Sequence, residues 1–397
     1  MNSYFADLHI HIGRTGSGRA VKITGAKTLT LQNILEISSR RKGLDMIGII
    51  DCHSPEVLEE LENLISEGKL TEHPRGGLQF GKTVLIPGSE IEINDQYCHG
   101  PIHILAFFPT IDAMRAFSGW MAGYVTNIHL SSQRIYCEGR LLQEKVKHFG
   151  GLFIPAHVFT PFKSLYGKGV EKSLREVFNP ELIDGIELGL SSDTEMARQI
   201  AELDDYVFLS NSDAHSLGKI AREYQEFRLE EANFSELEMA LKEMDGRRVS
   251  VNYGLNPRLG KYHETVCAAC SHKMTAPAAV CLACGSHKII KGVSRRIAEL
   301  ARMEGSGKKR ARPPYIHQVP LDFIPGLGPK TMERLLETFG TEMDIIHRTP
   351  KELLKQVVPE KVAEYIDLAR NGELQIEVGG GGKYGRIKTH SNGDSLE

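Results

Sequence analysis

The chain has 397 residues, with 48 Lys and Arg against 51 Asp and Glu, and 41% of its residues are hydrophobic. This length allows two or three domains with a sizeable core. The sequence contains no run of eighteen uncharged apolar residues and no basic start followed by an apolar core, which predicts a soluble, unexported, cytoplasmic protein.

Charge and cysteine are unevenly distributed. Residues 286–312 contain nine Lys or Arg and two Glu, which leaves the rest of the chain acidic. A basic block beside an acidic body indicates a polyanionic partner, and a solvated linker is the alternative. The seven cysteines are an odd number without a signal peptide, which favours metal binding in a reducing compartment over a disulfide scaffold.

The N-terminal part alternates short apolar runs with amphipathic stretches. Candidate strands are Tyr4–Leu8, Met46–Ile50, Val84–Ile86, Ile102–Phe108, Leu152–Pro155, Gly185–Leu190 and Tyr206–Ser210. Helical patterns lie between them, one introduced by Ser54-Pro55 and another carrying Leu142 and Val146. This alternation predicts a parallel α/β sheet or barrel over residues 1–256.

Imidazole and carboxylate side chains stand in or directly after these strands. They are His9, His11, Asp51, His53, Glu90, Glu92, His103, His157, Glu187, Asp213 and His215. Residues two apart on a strand face the same side, so His9 and His11 can bind one ion. Because the carboxyl ends of barrel strands meet at one mouth, the whole set predicts a metal cluster there. For any single histidine, a structural hydrogen bond to a carbonyl is the alternative.

The composition of this set indicates the ions and the chemistry. Imidazole and carboxylate ligands suit transition metals better than calcium, and there are more of them than one tetrahedral ion needs. Two or three divalent metals (Zn²⁺, Mn²⁺ or Mg²⁺) are therefore expected. Clustered ions stabilise the attacking and the leaving oxygen of a phosphoester. The residues favour phosphoester hydrolysis by metal-activated water.

Six short motifs of this set resemble those of the polymerase and histidinol phosphatase (PHP) superfamily. They are Asp7-Leu8-His9-Ile10-His11, Ile50-Asp51-Cys52-His53-Ser54, Gly88-Ser89-Glu90, Ile102-His103-Ile104, Pro155-Ala156-His157 and Ser212-Asp213-Ala214-His215. The resemblance implies a distorted seven-stranded (β/α) barrel with up to three metal ions. The ligands it implies are His9, His11, His53, Glu90, His103, His157, Asp213 and His215. We expect the catalytic group to be Asp213 first, with His215, His9, His11 and Glu90.

The chain departs from the PHP pattern at two places. The second motif usually reads Thr-Asp-His, whereas here Cys52 separates Asp51 from His53, which leaves open which of the two coordinates. Many members have another histidine soon after the first pair. Residues 13–19 contain none, which argues against a complete third metal site.

Two segments interrupt the barrel pattern, at 109–150 and 158–169. Both mix aromatic with basic residues, a combination that can stack on an unpaired base and hold phosphates. The candidate base pocket consists of Phe159, Phe162, Lys163 and Tyr166. Ordinary loop packing is the alternative for each of them.

A cysteine-rich region, residues 257–295, follows the barrel. Its two knuckles, ten residues apart, are Cys267-Ala268-Ala269-Cys270 and Cys281-Leu282-Ala283-Cys284. Four thiolates at this spacing predict one structural Zn²⁺ without an open coordination position, hence a role in folding or binding. The basic residues that follow, with Arg295 and Arg296 as DNA-binding candidates, favour nucleic acid over a protein partner.

After a basic linker at 296–314, residues 315–378 resemble a helix-hairpin-helix, an all-α DNA-binding module. The motif is Phe323-Ile324-Pro325-Gly326-Leu327-Gly328-Pro329-Lys330-Thr331. Gly326 and Gly328 let backbone N–H groups approach a phosphate, and Lys330 adds charge. A Gly-Pro turn between two helices is the structural alternative. Residues 379–397 are predicted to form a flexible tail.

The order of barrel, four-cysteine domain and helix-hairpin-helix resembles the endonuclease Q family. The resemblance implies a metal-dependent DNA repair endonuclease that cuts 5′ of a deaminated base (hypoxanthine, uracil or xanthine) or an abasic site, leaving a 3′-hydroxyl and a 5′-phosphate. The implied partner is lesion-containing duplex or single-stranded DNA, and contact with a replication sliding clamp stays open. The main alternative is a PHP-type 3′ exonuclease or end-processing phosphoesterase; a small-molecule phosphatase and a non-catalytic DNA-binding protein are others.

Overall fold

The computed structural model describes residues 1–260, 262–274, 279–304, 310–374, 376–377 and 386–387. The strands are β1 (Asn2–Ile10), β2 (Met46–Ile49), β3 (Thr71–Glu72), β4 (Leu78–Phe80), β5 (Thr83–Ile93), β6 (Ile102–Phe107), β7 (Arg134–Ile135), β8 (Leu152–Pro155), β9 (Ile186–Glu187), β10 (Phe208–Leu209), β11 (Tyr224–Leu229), β12 (Arg248–Gly254), β13 (Val266–Cys267), β14 (Ile289–Ile290), β15 (Tyr315–His317), β16 (Ile376–Glu377) and β17 (Arg386–Ile387). The α-helices are α1 (Leu31–Glu36), α2 (Pro55–Ser66), α3 (Ile111–Met121), α4 (Gly139–His148), α5 (Thr194–Ala197), α6 (Phe234–Leu241), α7 (Val293–Glu304), α8 (Pro329–Phe339), α9 (Lys351–Leu354) and α10 (Glu360–Arg370).

The protein is an α/β protein whose main sheet is mixed. β1 pairs in parallel with β2, and β2 with β5, as the alternating pattern predicts. β6 is antiparallel to β5, however, and β8 is antiparallel to β6. The connection between β5 and β6, residues 94–101, is too short for a crossover helix, so the chain returns antiparallel. The prediction of a parallel sheet was therefore wrong for the pairs β5–β6 and β6–β8.

Backbone hydrogen bonds extend this strand order around towards β1. Asp184, just before β9, donates to Phe153 of β8 at 3.0 Å, and β9 pairs in parallel with β10. The residues after β10 return to β1, where His11 donates to Ala214 at 3.2 Å. This order is consistent with a distorted seven-stranded barrel. On the edge of β1 opposite β2, β11 pairs antiparallel with β1, and β12 pairs antiparallel with β11.

The strands are buried on both faces, which explains their continuous apolar runs. On β5, Val84 and Ile86 belong to one hydrophobic cluster, while Leu85 between them belongs to another. The helices cover the outside. α2 begins at Pro55, which fits a first helical position because no N–H is needed there, and it buries Val57 and Leu61.

The C-terminal helices have a hydrophobic core of their own, which includes Leu335, Leu354 and Ile366. The segment that leads into this unit contributes β15, which pairs in parallel with β12, and the unit itself inserts the His347 side chain into the barrel. The His347 ring stacks on Phe5 with centroids 4.4 Å apart, and its Nε2 lies 2.7 Å from the Tyr224 hydroxyl. Burial, with the charges of two nearby arginines, lowers the pKa of His347 to about 3, so the ring is neutral in this contact.

The predicted basic linker and the predicted flexible tail both contain regular secondary structure. The predicted linker includes most of α7, and Arg312 packs its guanidinium 3.6 Å from the Phe208 ring centroid. Within the predicted tail, β17 pairs with β16. Residues 305–309, 379–385 and 388–397 lie outside the described part of the chain. Among the described helices, none combines the length and apolar character needed to cross a membrane.

Candidate active site

Four side chains from three parts of the barrel converge at one point. Nε2 of His9 lies 3.5 Å from Oε1 of Glu90 and 3.4 Å from Oδ1 of Asp213. Nε2 of His11 lies 3.6 Å from Oε2 of Glu90 and 3.4 Å from the same Asp213 oxygen. Ligands bound to an ion at about 2.1 Å in a tetrahedron are about 3.4 Å apart. The four side chains therefore have the spacing of a divalent metal site.

The hydrogen bonds of the two histidines support this assignment. The Nε2 atoms of His9 and His11 are buried and have no hydrogen-bond partner, which is costly unless they bind an ion. Their Nδ1 atoms face carboxylates: that of His9 lies 2.9 Å from Glu187, and that of His11 lies 3.1 Å from Asp51. A carboxylate on Nδ1 fixes the tautomer that leaves the Nε2 lone pair free for a metal.

A second group of ligands shares one carboxylate with the first. Oε1 of Glu90 lies 2.9 Å from Nδ1 of His103 and 3.4 Å from Nε2 of His157. A third group consists of His11, Asp213 and His215, whose ligand atoms lie within 4.8 Å of one another. Because the groups share Glu90, His11 and Asp213, they suit adjacent ions rather than separate ones.

The electrostatics keep the carboxylates ionised. Burial alone would raise the pKa of Asp213, but the charges and hydrogen bonds of His9 and His11 hold it well below its usual range. For Glu90, burial is likewise outweighed by His103 and Lys22, and its pKa is well below the usual value. Carboxylates that are already deprotonated can bind cations without first losing a proton.

The antiparallel direction of β6 explains how His103 reaches this group. His103 stands near the start of β6 rather than its end, and the start of an antiparallel strand lies at the edge where its neighbours end.

Two of the candidate ligands have strained backbones, with φ of 33° at His157 and 46° at Asp213. Gly189 is required beside His157, because a Cβ atom there would lie 2.5 Å from the His157 Cβ.

Two predicted ligands lie beside the convergent groups rather than within them. Asp51 accepts hydrogen bonds from the backbone of Ile12 at 2.7 Å and faces His11, so its place is behind a ligand. His53 uses both ring nitrogens: Ser89 donates to Nδ1 at 2.8 Å, and Nε2 bonds the Leu130 carbonyl at 3.1 Å. Metal coordination by either residue stays a prediction.

The ligand groups open into a cavity of about 550 Å³, a size typical of ligand pockets. Phe162 and Lys163, two of the four candidate base-pocket residues, line it. Phe159 and Tyr166 do not, because their rings stack on each other at 5.4 Å in the core, with at most 1% exposed. In the sequence, all four belong to one segment that mixes aromatic with basic residues. Burial separates Phe159 and Tyr166 from the exposed Phe162 and Lys163, and no residue spacing in the segment marks this difference.

Sequence analysis missed several polar residues of this cavity. They are Lys22, Ser131, Ser132, Asn211 and Arg222. Ser131 and Ser132 come from the segment inserted between β6 and β8, and Ser131 lies 3.2 Å from Nδ1 of His11. These two serines follow no predicted strand and match no motif, so neither periodicity nor spacing identifies them, whereas Asn211 directly follows the predicted strand Tyr206–Ser210 and could have been found there.

The four cysteines form a second metal-ligand cluster. Sγ atoms of Cys267 and Cys284 are 3.6 Å apart, as are those of Cys270 and Cys281, and all four lie within 4.8 Å of one another. This spacing fits four thiolates around one Zn²⁺ with bonds of about 2.3 Å. β13 and β14 pair beside the cluster. The predicted four-cysteine site is therefore formed.

Comparison with other proteins places this architecture in a family. No family model matches the chain. It is 55% identical over 388 residues to the uncharacterized protein YqxK of Bacillus subtilis, covering 98% of this chain and 100% of that protein. It is 38% identical over 254 residues to the uncharacterized protein MJ0043 of Methanocaldococcus jannaschii, covering 58% of this chain and 31% of that protein.

A solved structure of the lesion-specific endonuclease PfuEndoQ from Pyrococcus furiosus matches with a TM-score of 0.83 and 33% identity, over 98% of this chain and 95% of that one. The chain belongs to the endonuclease Q family. A second endonuclease Q structure, bound to a 27-mer duplex with an abasic lesion at its active site, matches with a TM-score of 0.81 and 32% identity, over 98% of this chain and 96% of that one. By family, the chain is a metal-dependent endonuclease.

In this member of the endonuclease Q family, the predicted hairpin has an accessible turn. Gly326 adopts a φ of 83°, which favours glycine, and a Cβ atom added at Gly328 would meet nothing within 4 Å. Gly328 caps α8, and Lys330 beside it is exposed. The phenyl ring of Phe323 lies 5.3 Å from the ammonium of Lys219, close in sequence to Asp213. The hairpin is thus joined to a loop of the metal site.

The two DNA-binding candidates on α7 of this endonuclease Q homologue differ. Arg295 is 36% exposed and lies 3.5 Å from Glu299. Arg296 is 13% exposed, and it donates to the carbonyls of Tyr166 at 2.7 Å and of Val170 at 2.9 Å. Arg296 therefore connects α7 to the segment that contains Tyr166 and Val170. Its guanidinium is not available to a phosphate in this structure.

Proposed function

We propose that the chain hydrolyses the phosphodiester bond on the 5′ side of a deaminated base (hypoxanthine, uracil or xanthine) or an abasic site, leaving a 3′-hydroxyl and a 5′-phosphate. The observation that carries this proposal is the convergent group of His9, His11, Glu90 and Asp213, of which Glu90 and Asp213 line a cavity of about 550 Å³. Family membership supports it, because a relative was solved with an abasic lesion at its active site. The substrate would be DNA of the nucleoid.

The ligand groups would hold two divalent ions, with a third depending on His215. Bound there, Zn²⁺, Mn²⁺ or Mg²⁺ would lower the pKa of water and stabilise charge on the phosphate. Water adds to phosphorus, the bond from phosphorus to the 3′ oxygen breaks, and that oxygen takes up a proton. Glu187 and Asp51 hold His9 and His11 in the tautomer and orientation that this centre needs.

Access to the lesion requires that the altered nucleotide leave the base stack, at a cost of a few kcal/mol that is smaller for mispaired or missing bases. Phe162 and Tyr262 lie edge to face at 5.6 Å in the cavity wall and offer apolar surfaces to a base. Lys163 lines the same wall and pairs with Glu92 at 2.9 Å. A complex with lesion DNA in which the base stays stacked would contradict this arrangement.

Sequence-independent affinity would come from the hairpin and from α7. The exposed turn at Gly326 and Gly328, the helix start and Lys330 can bind one phosphate, and Arg295 another. If so, log K falls with log salt by about 0.9 for each phosphate contact. Because His347 is packed into the barrel, deleting the hairpin unit would expose barrel side chains. Lys330→Gln is the cleaner test, and it should reduce the slope by about one contact.

The deciding experiment uses a 5′-labelled duplex with one hypoxanthine, uracil or abasic site, an undamaged control duplex, and Mg²⁺ or Mn²⁺. We expect one product that ends just 5′ of the lesion and is absent from the control. A ladder that shortens from the 3′ end in both duplexes would instead establish the 3′ exonuclease alternative. A covalently closed circle with one lesion separates the two independently, since only an endonuclease can nick it.

A further inference from the structure

Lys22 lies in the loop between β1 and α1, which is fixed to the ligand-bearing strand. Its backbone N–H donates to Ile12 at 2.8 Å, and its carbonyl accepts from Gly25 at 2.9 Å. Further along the same loop, the backbone N–H of Ala26 donates to the backbone carbonyl of His215 at 2.8 Å. The position of Lys22 relative to the metal ligands is therefore set by backbone hydrogen bonds.

The side chain of Lys22 points into the metal cleft. It is 13% exposed, its Nζ lies 3.1 Å from Oε2 of Glu90, and it donates to the Ser132 hydroxyl at 2.6 Å. Ser132 in turn donates to the same Glu90 oxygen. An ammonium group has three donors, so these two partners leave one for a ligand in the cavity that Lys22 lines.

A comparison with another buried lysine shows what is unusual here. Lys42 is 8% exposed on its side chain and pairs with Glu342 at 2.8 Å between the barrel and the C-terminal helices, where it balances one charge. Lys22 instead stands at the edge of a cavity, beside a carboxylate that belongs to two ligand groups. Charge balance alone explains Lys42, but it does not explain why Lys22 faces the space that a substrate would fill.

We propose that Lys22 is a further catalytic residue, whose ammonium binds a non-bridging oxygen of the scissile phosphate. It would stabilise the negative charge that these oxygens carry as water adds to phosphorus, with no proton transferred. This supplies a fixed positive charge beside Glu90 at the edge of the cavity. The inference rests on the proposed phosphodiesterase function.

The first test is the rate of single-turnover cleavage by Lys22→Met, with metal content measured on the same preparation. We expect a loss of about 100-fold with an unchanged number of bound ions, and a smaller loss for Lys22→Arg, which keeps the charge. Lys27→Met is the matched control, because Lys27 is an exposed lysine in the same loop. A rate for Lys22→Met equal to that of the wild type, or a loss matched by missing metal, would overturn the proposal.

The second test measures binding without cleavage. Lesion duplexes are made with a methylphosphonate at the scissile linkage, separately as each stereoisomer, so that one non-bridging oxygen is replaced by a methyl group. The wild type should bind one isomer more weakly than the other, and Lys22→Met should remove that difference. An equal difference in both proteins would overturn the role of Lys22.

The two tests also separate this inference from the function it rests on. If the wild type distinguishes the isomers, Lys22→Met does not, and the wild type cleaves no lesion duplex, then Lys22 binds the phosphate and the proposed activity is wrong. If the wild type cleaves lesion duplexes and Lys22→Met behaves like Lys27→Met, the activity stands and the role of Lys22 is wrong.

Discussion

The two metal-ligand clusters of this protein are built in opposite ways. The cleft takes its ligands from distant segments, from His9 to His215, and carboxylates behind the imidazoles hold them in place. The cysteine cluster takes all four ligands from residues 267–284 and supports them with two short strands. The cleft opens into a cavity, whereas four thiolates leave no open position. One cluster is suited to chemistry and the other to holding a small fold.

The largest effect should come from Asp213→Asn. The substitution removes a charge that faces both His9 and His11 and also belongs to the group with His215. We expect cleavage to fall by about 1,000-fold or more, because the stabilisation of charge at the phosphate is lost. DNA affinity, measured by fluorescence anisotropy, should stay close to that of the wild type. An equal loss of cleavage and affinity would mean that the cleft serves binding rather than chemistry.

Removing a ligand from the cysteine cluster should weaken DNA binding and leave the metal ions of the cleft in place. Cys281 is 1% exposed, and Cys281→Ser should release the structural Zn²⁺ and unfold residues around it, because zinc binding and local folding are coupled. We expect weaker DNA binding with ions retained in the cleft, measured by metal analysis and anisotropy. Cys98→Ser, outside the cluster, is the control. Loss of the cleft ions in Cys281→Ser would show that the clusters are not independent.

A smaller effect is expected behind the ligands. Glu187 bonds His9 at 2.9 Å and accepts from the backbone of His157 at 2.8 Å. Glu187→Gln keeps the shape of the side chain but removes the negative charge that faces Nδ1 of His9. It should weaken metal binding by about 10- to 100-fold. Titration of the metal-free protein with Mn²⁺ measures this. Unchanged affinity would mean that geometry alone, without the carboxylate charge, positions His9.

The smallest effect concerns a carboxyl group outside both clusters. Glu223 is fully buried and accepts from Leu255 at 2.9 Å, and burial raises its pKa from 4.5 to about 8. Between these values the unfolded chain releases a proton that the folded protein keeps, so stability falls as pH rises from about 4.5 to about 8. Glu223→Gln should flatten this part of the stability curve and raise Tm by a few degrees near pH 8. A slope unchanged by the substitution would assign the titration to another group.

The sequence predicts the cysteine cluster, whose ligands are close in sequence, more completely than the cleft, whose ligands come from distant segments. The four cysteines were identified completely, because their spacing is local. His9, His11, Glu90 and Asp213 were also named in advance, since each stands in or after an apolar strand. Asp51 and His53 were named but lie beside the group, because which atom a side chain presents depends on neighbours such as Ser89. Lys22 and Ser132 were missed, since loops that cross to the site carry no periodic pattern.

If the C-terminal hairpin contacts DNA as proposed above, the inserted His347 fixes the distance between that contact and the incision. A module on a flexible tether would contact the DNA over a range of positions, whereas one held against Phe5 and Tyr224 can contact it at only one. The protected length of DNA on that side of the incision should therefore be constant for every lesion. A short duplex that ends before this point should lose the hairpin contact all at once rather than gradually.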